Sequence, residues 1–110
     1  EEVARLLWAC DPIDPFTGQV NGLRSLRPAR RSLDDDTISI VARCIETLSI
    51  NRVDERESVW SACASVVRLI VSAVLQTRPS TDDIDLQCVR AWGQEEARRR
   101  YIRAALVVCA

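Results

Sequence analysis

The chain contains no lysine, no histidine and no methionine, and aromatic residues make up only 5% of its 110 positions. Each absence removes something. Without imidazole, every mechanism that needs a histidine base is excluded, as is a mixed Cys/His zinc site. With so few aromatics, Val, Ile, Leu and Ala must fill most of the core, and small branched side chains let helices pack closely. All fifteen cationic residues are arginine, a bias that fits either GC-rich coding or avoidance of lysine modification.

What is present describes one globular domain. Apolar residues reach 47%, charged residues 28%, and the net charge is −1, a balance expected of a single helical domain over residues 1–110. The chain starts at Glu1-Glu2-Val3, which suggests a piece excised from a longer protein or polyprotein. The first apolar cluster, Leu6-Leu7-Trp8-Ala9, is too short for a signal core and follows acids. Residues 59–75 are apolar apart from several serines and Arg68, and an arginine near the centre of a minimal span argues for a buried core helix over a membrane span.

Cys10, Cys44, Cys63, Cys88 and Cys109 are widely spaced, contain no C-x-x-C pair and are odd in number. They read as reduced core thiols, four of them inside helical apolar patterns. That points to an intracellular setting, cytoplasmic or nuclear, or to a virion interior, and away from secretion.

Apolar periodicity gives four main helices and no alternating strand. The first, near residues 2–10, is marked by Val3, Leu6, Leu7 and Cys10 and stopped by Pro12 and Pro15. The loop that follows should be pinned by Ile13, Phe16 and Val20. A second helix, near 34–49, is expected to use Ser32 as its cap and to carry a one-sided apolar stripe of Ile38, Val41, Ile45 and Leu48. The third, near 55–77, is apolar on most sides, with stripes at Val59, Cys63, Val66, Ile70 and Ala73 and at Trp60, Val67, Val71 and Val74. Its most buried residues should include Val66, Val67 and Ile70. A fourth helix, near 82–108, carries Ile84, Cys88, Ala91 and Trp92 and then Tyr101, Ile102, Ala105, Leu106 and Cys109, with Gly93 as a kink or break. The fold class expected is an all-α bundle of four to five helices.

No set of residues forms a reaction centre, so the chain is read as not an enzyme, with no catalytic residues, cofactor, metal or small-molecule substrate. The acidic groups Asp34-Asp35-Asp36 and Asp82, Asp83 and Asp85 sit at expected helix N-termini, where dipole and capping account for them, and neither has EF-hand spacing. Arg99 and Arg100 follow Glu95 and Glu96 at i, i+4, a salt-laced exposed face, which leaves Arg98 and Arg103 for a partner's phosphate or carboxylate. Arg24, Arg27, Arg30 and Arg31 lie in a segment without acids, of local charge +4, and are the candidate anion-binding residues.

The function expected is therefore a non-catalytic interaction or assembly module, a homo-oligomer or binder of a protein partner. Candidate interface residues are Trp60, Val67, Val71, Val74, Trp92, Tyr101, Ile102 and Leu106. The alternative is binding of nucleic acid or anionic membrane through residues 24–31. Within that alternative, Trp8-Ala9, Ile13-Asp14 and Phe16, with Thr47-Leu48-Ser49, Trp60 and Ala62, resemble helix segments of the N-terminal matrix domains of lentiviral Gag polyproteins. That resemblance implies a viral structural protein. It departs from the family at Pro12 and Pro15, in lacking lysine, and in lacking the basic, acylated N-terminus.

Overall fold

In the computed structural model, described for residues 2–8, 15–17, 20, 22–25, 36–51 and 59–109, every regular element is helical. The order is α1 (Glu2–Trp8), a 3-10 turn (Pro15–Thr17), α2 (Thr37–Ser49), α3 (Val59–Leu75), α4 (Ile84–Ala91), a second 3-10 turn (Glu96–Arg98) and α5 (Arg99–Cys109). This is the expected all-α bundle, with five helices among the described residues. Its radius of gyration, 14.3 Å, slightly exceeds the roughly 13 Å of a tightly packed chain of this length, in keeping with the apolar surface it leaves exposed.

Each boundary has a local cause. Asp36 caps α2, its carboxylate accepting from the Ser39 amide at 2.8 Å; the N-cap is thus not Ser32, which lies outside the described residues. α3 ends because Gln76 takes a left-handed conformation, φ 53°, and the Thr77 N–H closes on the Ser72 carbonyl at 3.0 Å, a Schellman stop. α4 ends in the same way. Gly93 sits at φ 63°, and the Gln94 N–H reaches back to the Val89 carbonyl at 2.9 Å. The expected helix over 82–108 is therefore two helices, and α5 turns back onto α4. The N-terminal part of the expected third helix, residues 52–58 with the Asp54 cap, falls outside the described residues.

The core lies between α3, α4 and α5. Leu75, Cys88 and Ala91 form its buried cluster, with Val71, Ile84 and Ile102 packed against them. Phe16 is buried in the 3-10 turn that packs on α3, and the Arg5 guanidinium of α1 lies 5.4 Å from its ring centroid. The Phe16 carbonyl accepts from the Arg68 guanidinium, so this one residue ties the first 3-10 turn to α3. Residues 22–25 are held differently. The Arg24 N–H donates to Asn51 Oδ1 at 2.8 Å and Asn51 Nδ2 donates to the Arg24 carbonyl at 2.9 Å, so a side-chain amide at the end of α2 serves as a short strand partner.

Several burial expectations are corrected. Leu6 and Leu7 are exposed on α1, while Cys10 and Ile13 lie outside the described residues. Val66 and Val67 are only half-buried and Ile70 is exposed; the buried residues of α3 are Ala64, Arg68, Leu69, Ser72, Ala73 and Leu75. Ile38, Val41 and Ile45 face outward on α2, where the buried residue is Thr47. Cys109 is an exposed thiol, not a core one; Cys44 and Cys63 are half-buried, Cys88 is buried, and all four are free.

Candidate interaction surfaces

Two of the helices place polar residues among their inward-facing ones and a row of apolar residues outward. At 100° per residue, the inward side of α2 is formed by Ile40, Arg43, Cys44 and Thr47, all buried or half-buried. Arg43 Nε donates to the Ala73 carbonyl of α3 at 3.3 Å. The opposite side carries Ile38, Val41 and Ile45, which are 78%, 50% and 62% exposed. The inward side of α3 likewise includes its polar row, Ser61, Ser65, Arg68 and Ser72, which recur at four-, three- and four-residue spacing. The Ser72 hydroxyl donates to the Leu69 carbonyl at 2.8 Å, which satisfies it without a partner helix. Fully buried Ala64 has no bulk on that side. Small side chains permit close approach of neighbouring elements; α3 buries Leu69 and Leu75 beside them and leaves Val59, Trp60, Ile70 and Val74 on the outside.

The outer arc of α3 is consequently apolar along its length. It carries Val59, Trp60, Cys63, Val67, Ile70 and Val74, of which Val59, Trp60, Ile70 and Val74 are exposed. Of the interface candidates, Trp60, Val67 and Val74 fall on this arc. Trp92 is exposed where α4 ends, and Tyr101 and Leu106 are exposed on α5. Val71 and Ile102 do not belong to any outer surface, because both pack on the Leu75, Cys88 and Ala91 cluster. The candidates thus separate into a set on α3, a set on α4 and α5, and two core residues. Ile70, expected in the core, lies on the surface, as does the α2 stripe at Ile38, Val41 and Ile45; a periodic pattern does not say which way a stripe faces.

Charge is arranged across the α4–α5 turn. Arg99 meets Asp85 through Nε to Oδ2 and Nη2 to Oδ1, both at 3.2 Å, and Asp83 at 3.0 Å. Arg103 reaches Asp85 at 3.3 Å and Asp83 at 3.5 Å. Asp83 occupies the N-cap of α4 without making a side-chain cap bond, so pairing with arginine, not capping, accounts for it. Arg99 also touches Glu96 at 3.5 Å, three residues away, in place of a simple ladder with Glu95. Arg103, expected to be available to a partner, is held by the acids, and the Arg100 guanidinium lies 4.7 Å from the Tyr101 ring. Burial pushes the Asp85 carboxyl upward, but the Arg99 hydrogen bond, the Leu86 amide and the charges of Arg99 and Arg103 outweigh it, leaving it below its ordinary range. Cys88 moves the other way, its thiol raised by burial and then by the Asp85 charge.

Of the anion-binding candidates, Arg24 is exposed with its backbone engaged by Asn51, while Arg27, Arg30 and Arg31 lie outside the described residues. Among the described residues no three Cys, Asp or Glu side chains converge as a metal site, and no helix is long and apolar enough to cross a membrane. The fold and its surfaces define a small all-α bundle with outward apolar helix faces. No family model, curated protein or solved structure matches the chain.

Proposed function

We propose that the chain is a non-catalytic helical interaction module that self-associates or binds a protein partner through apolar helix faces. One observation carries this reading: α2 and α3 both turn apolar stripes to solvent, while part of the inner side of each is given to polar residues, Arg43 and Thr47 on α2 and Arg68 and Ser72 on α3. Sparse exposed hydrophobics are ordinary on a protein surface, but an aligned apolar stripe marks a contact. Binding of nucleic acid or anionic lipid through residues 24–31 is the second reading. It rests on the local charge of +4 in that acid-free segment.

Salt separates the two, because counterion release makes phosphate binding weaken steeply with ionic strength while apolar association does not. Light scattering at two salt concentrations, with and without a generic polyanion, is the test. An interaction module that self-associates gives a mass above 12.4 kDa that is indifferent to both. A monomer whose mass rises only with polyanion, and falls again in high salt, overturns it in favour of the second reading.

A further inference from the structure

The outer arc of α3 has a geometry that selects its occupant. Trp60, Cys63, Val67, Ile70 and Val74 follow one another at three, four, three and four residues, the spacing with which one helix seats against another along a shared seam. The only charged residue of α3, Arg68, is turned inward and buried, so the seam has no charge with which to repel its own copy or to select an oppositely charged partner. Size is distributed unevenly along it. The bulky Trp60 stands at one end, small Cys63 follows, and branched Ile70 and Val74 occupy the other end.

Two copies aligned in parallel would place Trp60 on Trp60 and Cys63 on Cys63, a crowded layer beside an underfilled one. Reversing one copy about a point near Val67 brings Trp60 close to Val74 and Cys63 close to Ile70, a larger side chain against a smaller one on either side of a central Val67 pair. The reversed arrangement also opposes the two helix dipoles. Resting on the interaction reading above, we infer that the α3 seam pairs with that of a second copy, antiparallel, about a two-fold axis near Val67. The pairing is isologous, so it closes as a dimer. Trp60, Ile70 and Val74 are each only about two-fifths exposed, so sealing the seam removes well under the roughly 800 Å² per partner of a standard interface, and the dimer is a weak one that needs concentrations up to hundreds of micromolar to populate.

Sedimentation velocity of the full chain from about 5 to 500 µM spans that range. The expected result is a reversible monomer–dimer shift that Ile70→Glu and Val74→Glu each weaken at least about tenfold. Ile45→Glu, on the outer side of α2, leaves it unchanged. Circular dichroism melts confirm that each variant is folded. Orientation is read by oxidising an Ile70→Cys variant that also carries Cys10→Ser, Cys44→Ser and Cys109→Ser, and mapping the linked peptides by mass spectrometry. Antiparallel pairing links Cys63 of one copy to the thiol introduced at position 70 of the other, whereas predominant Cys63–Cys63 links mean a parallel pair and overturn the inference. A dimer lost with Ile45→Glu but kept with the α3 variants also overturns it, while leaving the interaction reading intact. A wild-type chain that stays monomeric to the highest concentration overturns the pairing outright, and one that also binds polyanion in a salt-sensitive way overturns both.

Discussion

Replacing Asp85 with Asn removes one negative charge from the turn that holds α5 to α4 and keeps the side chain's shape. Asp85 is 5% exposed and receives Arg99 at two points and Arg103 at a third, while its Oδ1 also accepts from the Leu86 amide at 3.0 Å. Asn retains one acceptor oxygen, which can serve Leu86, and turns an NH2 toward the guanidinium that formerly donated there. A hydrogen bond to a charged group contributes about 1.5–3 kcal/mol. Arg99 and Arg103 are 26% and 48% exposed, so solvent screens part of that and the net loss should be about 2 kcal/mol. In a domain of this size that lowers the melting temperature by about 8 °C. The effect depends on pH with a defined sign. Because the folded carboxyl titrates below its ordinary range, its stabilisation is fully present above that range and is lost as pH falls below about 4. Thermal melts of wild type and variant at neutral pH and at decreasing acidic pH should therefore converge. A melting temperature within about 2 °C of wild type at neutral pH, or a difference that persists undiminished on acidification, would refute the ionic clamp.

Other consequences are as direct. Gly93→Ala should cost about 1 kcal/mol although its new methyl meets nothing within 4 Å, because the loss comes from a left-handed backbone; a chemical-denaturation midpoint equal to wild type would contradict this. Gln76→Gly should stabilise by up to about 1 kcal/mol for the same reason at the end of α3, read in the same assay. Ala64→Leu should destabilise by about 1–3 kcal/mol, since Ala64 is fully buried and a larger side chain overfills its site. All five thiols should react in denaturant, while in the native state, of the four described thiols, exposed Cys109 labels first and Cys88, buried and with a raised pKa, labels last; fewer than five in denaturant would reveal a disulfide.

Helix existence was legible in the periodicity, and helix facing was not. The stripe at Ile38, Val41 and Ile45 identifies α2 correctly, yet a periodic stripe records only that one face of a helix is apolar and not which way that face is turned in the fold. In α3 the serines at positions 61, 65 and 72 mislead in the complementary way, because a short hydroxyl can satisfy itself on its own helix, as Ser72 does with Leu69, and then be buried. Gly93 was readable as a break because glycine tolerates positive φ, but the consequence, acids at 83 and 85 meeting arginines at 99 and 103, depends on the angle of a turn that no local spacing encodes. The same holds for Asn51 and Arg24, twenty-seven residues apart.

The most direct measurement is the rate at which Cys63 reacts with a thiol reagent as protein concentration is raised from a few micromolar to several hundred, resolved by peptide mass. Cys63 lies half-buried within the outer arc of α3. If that arc is the contact between copies, its labelling slows with concentration in step with dimer formation, while exposed Cys109 on α5 keeps a constant rate. A Cys63 rate that does not change across the range would show that α3 stays open to solvent and would contradict its role as the interface.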